Sequence, residues 1–306
     1  VKKLGVWLKF FGLILLFVLI YKIGWEETFD SIKKVSFVHL LVAIGILWIA
    51  LYLKSMRWKI VSISYGIPLK GFKAFKVFFI GLFLANITPG KLGDFARLLY
   101  IKDDLPSQKI GWSSLVMDRL FDLLCLMFFS ALALVYYQVN FKLLKLADNH
   151  WFIVFWGLAI VFVFLGIFWL RKKIINIIRP WWDAFNAHDL GWSTGGKSLL
   201  LTCMSMVLIY GVFNYMAWAM HIEIDHLGLF LGTFVLGVLS LLPITVLGIG
   251  VRETSLVVIF QLYKLPAEDA IALSLIIFLL QLISFIPGAI WFYLSPIKLK
   301  DLKSMK

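Results

Sequence analysis

Charged side chains stand at two places where long apolar runs are broken by glycine and proline. The first break reads Asn86-Ile87-Thr88-Pro89-Gly90-Lys91-Leu92-Gly93-Asp94-Phe95-Ala96-Arg97. The second reads Leu242-Pro243-Ile244-Thr245-Val246-Leu247-Gly248-Ile249-Gly250-Val251-Arg252-Glu253. Backbone that turns through Gly and Pro into a helix start leaves N–H donors free beside the positive end of the helix dipole. Thr88, Pro89, Gly90 and Gly93 offer this in the first break, and Gly248 and Gly250 in the second. Two such ends, converging with Arg97 and Arg252, suit the capture of an anionic headgroup. Asp94 and Glu253 would hold the guanidinium groups or accept amine or sugar donors.

A further group, Asp118-Arg119-Leu120-Phe121-Asp122, lies early in the next apolar run, with its two carboxylates one helical turn apart. Arg119 is read as gating or binding phosphate from the cytoplasmic side; the competing reading is a side chain that snorkels to the boundary. Charges at membrane depth cost about 2.5–3.5 kcal/mol each when unpaired. The four at the breaks must therefore be paired or hydrated. Asp94 and Arg97, three apart, could form a self-neutralised structural pair. Arg252 and Glu253 are adjacent and point in different directions, so outside partners are expected for both. Asn214 and Gln281 also lie within apolar runs, but interhelical hydrogen bonding accounts for them, and they stay outside the candidate site.

The elements that must position these residues are membrane helices. Of 306 residues, 62% are hydrophobic and 15% charged, against about 45–50% and 25% in soluble domains. Several apolar runs approach the length of about 20 residues that spans a bilayer. Full spans are expected at 5–24, 38–58, 112–137, 151–170, 198–220 and 267–294. The first is expected to stay uncleaved, since no small-residue cleavage site follows it. The broken segments are 72–102 and 228–263. The arm 92–102 would be a helix of about 16 Å, too short for about 30 Å of hydrocarbon. Each broken segment is thus expected as a re-entrant hairpin. Surface helices are expected at 25–37, where Trp25, Phe29, Ile32 and Val35 recur at helical spacing with charges between, and at 171–185, where apolar residues lie beside a basic cluster.

Lys and Arg orient the chain. Lys2, Lys3 and Lys9, then Lys54, Arg57, Lys59, Lys70, Lys73 and Lys76, then Arg171, Lys172, Lys173, Arg179 and Lys197, and finally Lys298, Lys300, Lys303 and Lys306 mark cytoplasmic regions. Lys22, Lys33, Lys34, Lys142 and Lys145 run against the rule. Six spans and two hairpins place both termini in the cytoplasm, residues 104–110 inside and 221–227 outside. The halves 38–137 and 198–294 then share one plan, span–hairpin–span, in opposite orientations. Gly90 precedes Pro106 by sixteen residues, and Gly250 precedes Pro266 by the same distance. Paired interruptions of this kind point to a transporter's central site, with the two tips meeting near the midplane. The fold class expected is an all-α polytopic membrane protein with an inverted-topology repeat, forming one transmembrane domain over 1–306.

Several functions find little support. The net charge of +13 has a home in cytoplasmic loops facing anionic lipid, so no nucleic-acid partner is expected. No phosphate loop ending in Gly-Lys-Ser/Thr is present, and no Gly-x-Ser-x-Gly elbow. His39, His150, His188, His221 and His226 are scattered, so neither metal nor cofactor is expected. Cys125 and Cys203 read as small packing residues.

The break at Asn86–Arg97, the Asp118–Asp122 run, and the stretch from Pro243 through Gly250, Arg252 and Glu253 resemble the transmembrane region of lysylphosphatidylglycerol synthases. That family includes free-standing, flippase-like membrane proteins, and the resemblance covers about 5–294. It implies a membrane region that moves lipids between leaflets. Relatives often carry Glu where this chain has Asp94 and Asp118, which shortens the reach of both carboxylates. Little chain follows the last expected span, so the lysine-attaching domain of the larger relatives is not expected.

The function expected is a lipid translocase for an anionic phospholipid or a polyprenyl-phosphate-type lipid, in the cell membrane. Its site is expected to comprise Asn86, Thr88, Pro89, Gly90, Gly93, Asp94, Arg97, Asp118, Arg119, Gly248, Gly250, Arg252 and Glu253. Two alternatives remain: an enzyme acting on a lipid phosphate, with Asp94 or Glu253 as acid/base, and a non-catalytic scaffold for a lipid synthase or glycosyltransferase. The partners expected are membrane lipids with anionic headgroups, with a second copy of the chain or a lipid-modifying enzyme as further candidates.

Overall fold

The computed structural model describes residues 33, 35–141, 191–240 and 250–295. The expected spans 5–24 and 151–170, the surface helix 171–185 and most of the one at 25–37 lie outside the described residues, as does Gly248 with the rest of 241–249. The first half comprises α1 (Phe37–Ser64), α2 (Gly71–Ile87), a 3-10 stretch (Pro89–Ala96), α3 (Arg97–Tyr100), a 3-10 turn (Lys102–Asp104) and α4 (Gln108–Phe141). The second comprises α5 (Trp192–Ala219), α6 (His226–Leu239), α7 (Val251–Leu262) and α8 (Ala267–Leu294). Among the described residues there is no strand.

Helices α1, α4, α5 and α8 are long and apolar enough to cross a membrane, and they coincide with four of the expected spans. Three have 28 residues and α4 has 34, about 42 and 51 Å at 1.5 Å per residue. Ser36 caps α1 by accepting the Val38 N–H, and Asp225 caps α6 by accepting those of Leu227 and Gly228. Large apolar side chains such as Leu124, Phe128, Leu134 and Val139 on α4 remain exposed. A surface in contact with lipid hydrocarbon tolerates them, because the driving force that would bury them in water is missing there.

The shorter helices fall where the broken segments were expected. With 17, 14 and 12 residues, α2, α6 and α7 measure about 25, 21 and 18 Å. Helix α2 stops at Ile87 because Thr88 is extended, and Pro89, which has no N–H to give, opens the next turn. The return arm differs from the expected helix over 92–102. It is mostly a 3-10 stretch, with α3 only four residues long. That stretch folds back on α2 so closely that a Cβ on Gly93 would overlap the Leu84 carbonyl and the Ala85 nitrogen.

The two halves repeat one order: long helix, short helix, break, short helix, long helix. The packing repeats it too. Helix α1 packs on its counterpart α5, the α2–α8 contact is matched by α6–α4, and α1–α4 by α5–α8. A large core joins α1, α5, α6, α7 and α8 through residues such as Leu47, Phe213, Leu229, Phe260 and Leu273. Another joins α1, α2, α3 and α4 through Trp58, Phe78, Leu98 and Leu115. The described elements thus form a helical bundle with a break and its charges inside each half.

Candidate functional site

The first break is built by its own polar side chains. Asn86 donates from Nδ2 to the Leu82 carbonyl at 2.7 Å. Thr88 donates from Oγ1 to the Leu84 carbonyl at 2.8 Å and accepts the Gly93 N–H at 2.7 Å. These two residues therefore satisfy backbone groups freed where α2 stops, and Pro89 and Gly90 open the 3-10 stretch. In a 3-10 helix side chains three apart eclipse. This places Asp94 directly beside Arg97, and the two form the ion pair anticipated from their spacing.

Arg97 is wholly buried. Its guanidinium lies 4.5 Å from the Phe78 ring centroid and 5.2 Å from that of Trp58, a cation–π sandwich. Gly81 makes room for it, since a Cβ there would collide with the Arg97 side chain. Arg97 also reaches Asp118 Oδ2 on α4 at 3.3 Å.

Asp118 is the hub of a larger network. It accepts from Arg57 of α1, with Nε at 2.9 Å and Nη2 at 2.8 Å from Oδ1. Arg57 turns its Nη1 to Asp122 at 2.5 Å and donates from it to Thr202 Oγ1 of α5 at 3.0 Å. Lys54 reaches Asp122 at 3.0 Å. Arg119 bridges Asp94 at 2.5 Å, Asp122 at 3.4 Å and Asp118 at 3.7 Å. It does not snorkel away from the protein. Its guanidinium turns toward the three carboxylates while its side chain stays 44% exposed. Charge pairing of this kind is what makes such residues tolerable inside an apolar bundle.

The second break carries a smaller cluster. Gly250 has φ 89°, a backbone that favours glycine, and it sets the start of α7. Glu253 curls back to accept the Gly250 N–H at 2.5 Å. Its other oxygen meets Arg252 Nη2 at 3.1 Å and the Ser274 hydroxyl at 2.7 Å. Each residue thus finds the outside partner expected for it, Ser274 and Gln281 for Arg252 and Ser274 with the Gly250 N–H for Glu253, and the first-turn geometry lets the two neighbours pair directly as well. Arg252 further donates from Nε to Ser274 Oγ at 2.7 Å and from Nη1 to Gln281 Oε1 at 3.1 Å.

In both halves, then, an Arg at the break reaches the following long helix. In the first half that helix presents carboxylates; in the second it presents Ser274 and Gln281. Of the residues singled out from the sequence, Asp94, Arg97, Asp118 and Arg119 come together, and Gly250, Arg252 and Glu253 form the other group. Lys54, Arg57, Asp122, Thr202, Ser274 and Gln281 were not in the candidate set. By charge alone Lys54 and Arg57 mark the cytoplasmic side. Their signal was available: an Arg that falls inside an expected span, 38–58, is a site candidate by default. Gln281 makes the interhelical hydrogen bond expected of it, to Arg252.

The sequence matches the family described as the lysylphosphatidylglycerol synthase TM region over residues 5–288. The chain belongs to this family. It is also similar to UPF0104 membrane protein MJ1595 of Methanocaldococcus jannaschii, 23% identical over 277 residues, which cover 80% of each chain. A shorter similarity, 26% over 129 residues, links it to UPF0104 membrane protein PH1989 of Pyrococcus horikoshii and covers 41% of this chain and 38% of that one. The family match takes in both breaks and both charge clusters, so the resemblance read from those motifs holds at the level of the whole membrane region.

Proposed function

We propose that the protein is a lipid translocase, moving an anionic phospholipid or a polyprenyl-phosphate-type lipid between membrane leaflets. The observation that carries this reading is the network of Lys54, Arg57, Asp94, Arg97, Asp118, Arg119 and Asp122, gathered at a helix break between apolar helices. Irregular backbone at membrane depth is tolerated where protein or a polar cavity covers it. Guanidinium groups beside it would bind a phosphate through paired N–H donors. Membership of a family defined by a lipid synthase's membrane region supports a role in lipid handling.

The proposed architecture is an inverted-topology repeat whose two broken segments are re-entrant hairpins. Support comes from the matching order of elements and from the way the contacts of the long helices and of α2 in one half have counterparts in the other. Such a repeat lets one central site face either leaflet in turn. Both termini and residues 104–110 would face the cytoplasm, and 221–227 the outside, in a multi-pass protein of the cell membrane. Membrane lipids with anionic headgroups would be its ligands, and a second copy or a lipid-modifying enzyme its protein partner.

The test is purified protein in liposomes, scored for leaflet exchange against a panel of labelled lipids. Accelerated exchange of an unaltered anionic lipid is the expected result. Chemical conversion of the lipid would favour an enzyme. Absence of both exchange and headgroup binding would favour the scaffold.

A further inference from the structure

The charge count of the first cluster restricts the ligand further. Four cations, Lys54, Arg57, Arg97 and Arg119, meet three carboxylates, Asp94, Asp118 and Asp122, all linked by ion pairs. Among the described residues, with every ion-paired group charged, one positive charge is left over. Inside an apolar bundle an uncompensated charge is strongly unfavourable. The surplus is also addressed to one place. Arg57, Arg97 and Asp118 have fully buried side chains, those of Lys54, Asp94 and Asp122 are nearly so, and Arg119 alone is half-exposed. Arg97, which shares Asp94 with Arg119, keeps a buried Nε without a hydrogen-bond partner.

Resting on the translocase reading, we infer that the headgroup is a phosphodiester with a single net negative charge, which enters at Arg119 and takes the place of Asp94 there. Asp94 is the natural residue to yield. It sits on the short 3-10 stretch and not on a long helix, and it contacts both Arg97 and Arg119. A phosphodiester monoanion brings the cluster to neutrality. A phosphomonoester, with about −1.5 to −2 charges at neutral pH, overshoots it, and a zwitterionic headgroup leaves the surplus in place.

The experiment measures binding to the purified full chain in a neutral detergent at about pH 8, where a monoester is close to dianionic. The probes are dihexanoyl phosphatidylglycerol as the diester, dihexanoyl phosphatidate as the monoester and dihexanoyl phosphatidylcholine as the zwitterion, with soluble glycerophosphoglycerol beside them. The diester lipid is expected to bind about tenfold or more tighter than the other two lipids, since one unbalanced charge in a partly desolvated site outweighs that factor. Arg119→Gln removes the surplus, so the diester should lose its advantage over the zwitterion. Asp94→Asn doubles the surplus, so preference should move to the monoester.

A monoester preference in the unsubstituted protein would overturn the inference, as would an order of preference unchanged by both substitutions. Binding of glycerophosphoglycerol as tight as that of the lipid would move the site from lipid to a soluble diester. Leaflet exchange reads the two ideas apart. Charge-matched binding without exchange removes the translocase alone, whereas exchange without charge preference removes the charge-matching alone.

Discussion

Replacing Asp118 by Asn and Arg57 by Met tests the charge count through stability. The two residues are direct partners, both fully buried, at 2.8 Å. In a neutral pair, removing either side would be equally disruptive. Here the network has, among the described residues, one cation more than it has carboxylates, so the two losses differ. Asp118→Asn leaves Arg57 with Asp122 alone and raises the surplus to two positive charges. Breaking a buried pair from one side costs about 3–5 kcal/mol, a large share of a typical stability of about 5–15 kcal/mol. Arg57→Met leaves Asp118 with Arg97 and Arg119, leaves Asp122 with Lys54 and Arg119, and brings the total to zero. Its cost should be smaller by about 1–2 kcal/mol, because no additional charge is left uncompensated in the buried cluster. At about 2–4 °C per kcal/mol for a chain of this order of size, the asparagine variant should melt several degrees below the methionine variant. The assay is thermal unfolding in neutral detergent without added anionic lipid, since a ligand would stabilise the protein by mass action. Equal losses, or a larger loss for Arg57→Met, would refute the reasoning.

Other expectations follow from individual contacts. Arg252 donates from Nε, Nη1 and Nη2 to three different side chains, so Arg252→Ala should abolish leaflet exchange in a protein that still inserts, and Arg252→Lys, with one nitrogen, should recover little. Gly93→Ala places a methyl group against the Leu84 backbone, and overpacking of this kind should lower stability by about 1–3 kcal/mol, read as an earlier thermal transition. Cysteines at 90 and 250 should crosslink with a short reagent if the two tips meet, and an anionic lipid should slow the reaction; tips that never crosslink would argue against a shared central site. Asp225 is partly desolvated, which alone would raise its pKa, but hydrogen bonds from Tyr136, the Gly228 N–H, Tyr263 and the Leu227 N–H outweigh this and hold it below the usual carboxylate range. A depressed folded-state pKa means that its stabilisation is present above the unfolded value of about 3.9 and is lost as pH falls further. Asp225→Asn should flatten the acid limb of the melting-temperature profile, and an unchanged profile would remove Asp225 as its cause.

Local chemistry was legible from composition and spacing. Apolar runs of spanning length announced helices at 38–58, 112–137, 198–220 and 267–294, because a bilayer requires about 20 apolar residues to be crossed, and four helices stand there. Thr88-Pro89-Gly90 announced a stop, because Pro89 cannot continue the hydrogen bonding of α2. The three-residue spacing of Asp94 and Arg97 announced their pairing. What spacing along one chain cannot express is which distant helices meet. Arg57 and Asp118 are 61 residues apart and share a hydrogen bond, while Thr202 comes from the other half of the chain. Only packing α1 against both α4 and α5 turned two apparent boundary markers, Lys54 and Arg57, into part of a buried network. The same holds for Arg252 and Glu253. As neighbours in sequence they pointed apart, and the positive φ at Gly250 together with Ser274 from α8 brought them into one cluster. Sequence determines which residues are charged and where helices must break; a low-dielectric interior, which forces every such charge to find a partner, decides which of them meet.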